Sequence, residues 1–500
     1  MHKACAIWQR VDKVSNIGPP HPMRPAVSLT RGPTPPWHET CSFPSCPTRG
    51  ERPMTCDTGR PYPDPDPQRP QGHDACHKSH IGAHAPHAGA DPVAESVLRA
   101  LYPHSGMRRA LLKSLGAQGL LAVVASLFPY RAAEAMLWDR TAPEHKHVRI
   151  AYLPIMCATP LIMAHAHGGF AREGLAVTLE KTTSWAIVRD RLAAGRLQVA
   201  HLLAPMPLTM SMGVGSPRVG VDCAALQNIN GQAITLHLRH RNRRDPRTWK
   251  GMRFAIPFDY SIHNLLLRYY IAHYGLDPSR DVTLRVMPPP DMVANLRAGN
   301  IDGFLGPEPF NQRAVYDGFG YIHTLSLDIW DGHPCCSLSV RSDLVREAPG
   351  TFAAVTRALI AAAEFAHPAA NRPGMVATLA SSRYLNQPAT VVNQVLTGRF
   401  ADGLGHVRDV PDRIDFAPYP YPAMAVWILS QLKRWGYVHR HLRYQDIARQ
   451  VYLAADAARM LRAQGYAQPA SQAPDFRIMG RTFDPARPRA YLASLADGRR

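Results

Sequence analysis

Three side chains that can give a hydrogen bond fall where strands end and helices begin. Trp185 follows a strand, Gln232 comes directly before the apolar run Ala233 to Leu236, and His263 opens an apolar helix. Donors set at such ends are suited to a small planar oxyanion, which also accepts from the free N–H groups of a helix start. Each residue has a plainer use: Trp185 as core, Gln232 in closing a turn, His263 in capping its own helix. Taken together in one cleft they fit a ligand better. Recognised catalytic patterns are missing, with no G-x-S-x-G, no Walker loop and no H-E-x-x-H, so binding rather than catalysis is expected. His165 and His167, two residues apart, diverge on a helix and suggest no metal. A nucleophilic Cys336 with His333 as base would need a contact that their spacing does not supply.

The stretch Asn295 to Cys336 gives these residues a setting. Met292, Val293 and Leu296 form the face of a helix capped by Asp291 and closed by Gly299; a short strand Ile301 to Leu305 and the turn Gly306-Pro307-Glu308-Pro309 follow. A polar turn at the carboxyl end of a strand is how an open α/β sheet meets a ligand.

The same alternation runs through the chain. Strands are expected at Val148–Leu153, Leu175–Glu180 and Val199–Leu203, with a helix after Thr159-Pro160 and another from Trp185. The pattern restarts with strands Met252–Ile256 and Val282–Val286, a helix begun near Ser261, and the strand Ile301–Leu305. Such repetition predicts an α/β protein of two lobes, each a mostly parallel sheet flanked by helices, with a helical C-terminal part after the strand Ser337–Val340. Lobe 1 is expected from 148–240 and 337–465, lobe 2 from 250–330, and a tail from 466–500. The chain should cross between lobes near Leu238–Lys250 and Leu325–Ser337.

Residues 1–106 have a different character. They hold 18 of the 46 prolines and Cys5, Cys41, Cys46, Cys56 and Cys76, without apolar periodicity, and read as a disordered extension. Met107-Arg108-Arg109 then leads, through the apolar run Leu120 to Phe128, to Ala133-Glu134-Ala135. This is the form of a signal peptide, 107–135, with paired arginines like those of twin-arginine export. It suggests that translation starts at Met107, that residues 1–106 lie upstream of the true start, and that the protein is periplasmic. The net charge of +19 is spread thinly. Its one cluster, Arg239 to Arg247, lacks interleaved aromatics and reads as a solvated linker, so no nucleic-acid partner is expected. Cys157, Cys223, Cys335 and Cys336 lack CxxC spacing, so no zinc site and no disulfide framework are expected.

The ordered series Thr182-Thr183-Ser184-Trp185, His201 to Pro207, Asn230-Gly231-Gln232, His263 to Tyr270, Pro288 to Gly299 and Asp302 to Asn311 resembles the nitrate- and bicarbonate-binding proteins of ABC importers. The resemblance covers roughly Val148 to Gly465. It implies a periplasmic-binding-protein type 2 fold, a small anion as ligand, membrane permease subunits as partners, no obligatory cofactor, and ligand contacts from Trp185, Gln232, His263 and the Gly306 backbone. Calcium accompanying the anion is a further expectation. Where the family's nitrate binders show W-x-x-H-P-E-K, this chain has Trp330 to Cys336, so Cys336 takes the lysine's place, with Arg268 as a possible compensating cation. Cyanate or a small organic ligand, and a cytoplasmic nitrate sensor acting on an antitermination regulator, are the alternatives.

Overall fold

The computed structural model describes residues 142–470 and 474–497; the extension at 1–106 and the signal-like segment at 107–135 lie outside the described residues. Ten strands make the frame: β1 His147–Tyr152, β2 Ala176–Lys181, β3 Val199–Leu203, β4 Val221–Asn230, β5 Gln232–His237, β6 Arg253–Ile256, β7 Thr283–Val286, β8 Gly303–Pro307, β9 Gly320–Leu325 and β10 Pro334–Arg341. The short pair β11 Arg399–Ala401 and β12 Val407–Asp409 and the strand β13 Ile414–Asp415 come later in the chain. The two main sheets have orders β13-β4-β10-β3-β1-β2 and β7-β6-β8-β5-β9, and β11 pairs with β12 alone.

The expected βαβ alternation accounts for the parallel pairs, β2-β1-β3 in the first sheet and β7-β6-β8 in the second. Antiparallel strands complete both: β10 between β3 and β4, and β5 between β8 and β9. β4 and β9 have no counterpart among the expected strands. β4 is buried along almost its whole length, so it lacks the apolar and polar alternation that marks a half-exposed strand.

The first crossing between sheets differs from expectation. It falls at Asn230-Gly231, before β5, rather than at Leu238–Lys250, so lobe 1 gives way to lobe 2 at Gln232. Both residues hold positive φ, 57° and 80°, which reverses the chain in two residues; asparagine and glycine are the types that accept it. The second crossing, between Leu325 and Pro334, lies inside the expected range. Asn230 ties the two together: its Nδ2 donates to Asp331 Oδ1 at 3.1 Å and its Oδ1 accepts from the Gly332 N–H at 2.9 Å.

Capping also departs in places. The helix Thr159–Ala166 starts after Ala158, and Thr159 Oγ1 donates to the Met156 carbonyl instead. Pro288 precedes the helix Pro289–Arg297, with Asp291 in its first turn rather than at its cap. Ser261 does cap Ile262–His273, accepting from the Asn264 N–H at 3.0 Å.

The C-terminal residues expected as a tail are docked structure. β14 Arg477–Ile478 and β15 Arg481–Thr482 form a hairpin, followed by the helix Pro488–Asp497. Met479 N–H donates to the Ile329 carbonyl at 2.8 Å, and the Tyr491 and Tyr269 hydroxyls lie 2.9 Å apart. Trp330 is the anchor, with ring centroids 4.5 Å from Trp427 and 5.3 Å from Phe476. Truncating this fully buried ring, Trp330→Ala, is expected to cost about 3–5 kcal/mol. Limited proteolysis should then cut near Ile478 before the rest of the protein; a wild-type digestion pattern would show that the segment does not depend on Trp330.

Among the described residues no helix is long and apolar enough to cross a membrane. The basic run from Arg239 is partly committed to structure, since Arg239 and His240 pair with Asp302.

Candidate functional site

Helix starts and strand ends bring the polar groups inward. Ser184 Oγ accepts from the Ala186 N–H at 3.1 Å, starting the helix on which Trp185 is the first residue. Gln232 is the first residue of β5, opposite Pro307 of β8. His263 sits one residue inside its helix start. His201 lies mid-strand in β3 opposite Leu338, and His333 immediately precedes β10. All five side chains are at most 1% exposed.

None of these groups is fully satisfied by the protein. Trp185 Nε1, both amide atoms of Gln232, both ring nitrogens of His201 and of His263, and Nε2 of His333 are buried without a hydrogen-bond partner. A buried polar group left unpaired costs about 1–3 kcal/mol, so retaining several is a strong argument for a ligand that pairs them. The plainer readings fall away for two residues. Ser261 is the cap of the helix that His263 enters, and the Gln232 amide closes no turn. Trp185 does belong to the apolar core, with its indole N–H unpaired.

Charge distinguishes this site from a salt-bridged one. Burial pushes His201, His263 and His333 down to about 4, so at neutral pH each is a neutral imidazole offering one donor and one acceptor. Arg268 donates to Asn264 Oδ1 at 2.9 Å and Ser279 Oγ at 3.0 Å and lies over Trp435. The paired Cys335 and Cys336 are both fully buried. Gly306 lies opposite Ala233, and its carbonyl accepts from Asn311 Nδ2 at 2.6 Å. A Cβ there would come within 2.9 Å of Phe304 and 3.2 Å of Met292, which gives the glycine a packing reason.

Three of the cysteines gather in the fold although their spacing gives no sign of it. Cys157, on a single turn after β1, places its sulfur 3.4 Å from that of Cys335, and Cys335 and Cys336 are 3.7 Å apart. The gathering is invisible in sequence because 178 residues separate two of the thiols. His201 also escaped the sequence reading, although a lone histidine within the apolar strand Val-Ala-His-Leu-Leu was a usable signal. Calcium does not fit: it takes oxygen ligands, and the gathered groups offer mainly nitrogen and sulfur.

Comparison with known proteins places the chain in a family. Residues 141–380 match the NMT1-like family. The nitrate/nitrite binding protein NrtA of Nostoc sp. is 30% identical over 398 residues, covering 73% of this chain and 90% of that protein. The chain belongs to the nitrate/bicarbonate solute-binding protein family. The crystal structure of the periplasmic nitrate-binding protein NrtA from Synechocystis PCC 6803 superposes with a TM-score of 0.68 at 27% identity, covering 71% of this chain and all of that one. The bicarbonate transport ATP-binding protein CmpC of Synechococcus elongatus is 32% identical over 372 residues, 70% of this chain, and the chain spans 55% of its length. The fold is therefore that of a periplasmic binding protein, and membership of this family makes the protein a solute-binding component rather than an enzyme.

Proposed function

We propose that the protein captures a small oxyanion, nitrate-like or bicarbonate, between its lobes and delivers it to the permease of an ABC importer. The observation that carries this reading is the set of buried, unpaired donors on Trp185, Gln232, His201 and His263. Because the imidazoles are neutral and also offer acceptors, the set suits bicarbonate, which both accepts and donates, better than nitrate, which only accepts. The relatives' periplasmic location and the signal-like segment 107–135 support a periplasmic protein exported by the twin-arginine route. Closing around the solute would be a shift in population toward the closed form, driven by contacts from both lobes.

Isothermal titration of the purified protein with nitrate, nitrite, bicarbonate and cyanate tests this directly. His263→Leu and Gln232→Leu should each weaken binding about 10- to 100-fold, the worth of a hydrogen bond to a charged group. Thermal stability without solute should hold or rise, since each change removes unpaired buried atoms. Unchanged affinity for every anion in both variants would reject the site.

A further inference from the structure

We propose that Cys157, Cys335 and Cys336 form a site for a thiophilic d10 metal cation, Zn2+ or Cu+, held as a tris-thiolate complex. All three are free, fully buried thiols, and their sulfurs lie within 4.8 Å of one another. Around a zinc ion with bonds of about 2.3 Å, tetrahedral geometry sets sulfurs about 3.8 Å apart. The observed separations of 3.4 Å and 3.7 Å are already close to that.

Backbone geometry argues that the gathering is built. Adjacent residues in a regular strand point to opposite faces, which would separate Cys335 from Cys336. Here β10 shifts register against β4 on both sides of Cys336, bringing both sulfurs together. Asn228 Oδ1 accepts from the Cys336 N–H at 3.2 Å, and the Cys335 carbonyl accepts from the Ala204 N–H at 2.9 Å, which holds the irregular segment in place. Bulges of this kind re-aim side chains.

Thiolate is the donor that selects zinc and copper(I) over harder ions. Binding of a divalent ion converts three thiols and M2+ into a complex of net charge −1 and releases three protons to solvent. A buried complex of that charge is far less costly than three separate thiolates.

Cobalt titration of the full chain, reduced and stripped of metal, tests the site. One equivalent of Co2+ should give a sulfur-to-cobalt charge-transfer band in the near ultraviolet and release about three protons per metal. One equivalent of Zn2+ or of Cu+ should bleach the band; the ion that does so identifies the cation class member held. Replacing Cys5, Cys41, Cys46, Cys56 and Cys76 with serine should leave the band intact. Cys157→Ser should lower its intensity by about a third, and the Cys157→Ala/Cys335→Ala/Cys336→Ala variant should lose it while keeping its circular dichroism. Absence of the band in the wild type overturns the proposal without reference to any variant, as does a one-equivalent band persisting in the triple variant. Anion titrations with and without zinc separate this result from the oxyanion reading, which stands or falls on its own affinities.

Discussion

Arg413→Leu is expected to lower the unfolding free energy by about 3–5 kcal/mol, the usual consequence of stranding one partner of a buried ion pair. Both Arg413 and Glu308 are fully buried. The guanidinium donates to a Glu308 carboxylate oxygen and, at 2.7 Å, to Gln312 Oε1, and it lies 4.0 Å from the centre of the Phe400 ring. Glu308 also receives the Gln312 N–H at 3.2 Å, while its backbone joins both lobes: its carbonyl accepts from Met156 and its N–H donates to the Gly231 carbonyl. Leucine would leave a carboxylate in an apolar interior with its main charge partner gone. The loss comes from that stranded charge more than from the worth of the pair, so Glu308→Gln/Arg413→Leu should recover most of it. Denaturant unfolding of the two variants decides the point; a double variant as unstable as the single would show that the pair itself is strongly stabilising.

A steep loss of stability on mild acidification is the second large effect expected. Burial holds His201 and His263 down to about 4, whereas an unfolded chain takes up each proton near 6.5. Between those values the unfolded state binds more protons, so stability rises with pH and is lost as pH falls through the window. Each histidine contributes about 1.4 kcal/mol per pH unit there, or roughly 3 kcal/mol across it. His323 and His333, also down to about 4, act in the same direction, while Asp222, pushed up to about 6 by burial, and Asp259, Glu364 and His367, all raised, oppose it. Unfolding midpoints measured from pH 7 to 4.5 should fall progressively, and His201→Gln should reduce the slope by one proton. A flat profile would mean that the imidazoles are already paired or protonated in the folded state.

Much of the fold could be read from the chain because periodicity reports one-sided burial. β3 was placed to the residue, and most of the other parallel strands to within two. β4 escaped because burial on both faces erases that period, and its loss moved the expected crossing past β5. Trp185, Gln232 and His263, the candidates at element ends, could be singled out because donors stand out in apolar runs. The thiol group could not be, because what makes it a group is a register shift in β10 and a contact between residues far apart in sequence. Local spacing carries no trace of either.

The complete enclosure of His201, Gln232 and His263 has a kinetic meaning. A solute captured there, as proposed, would leave only as fast as the two crossings at Asn230-Gly231 and 326–333 allow the lobes to part. Departure then becomes a property of the gate rather than of the cargo. Solutes of very different affinity would share one upper limit on their escape rate, and discrimination among them would rest on how firmly each holds the gate shut.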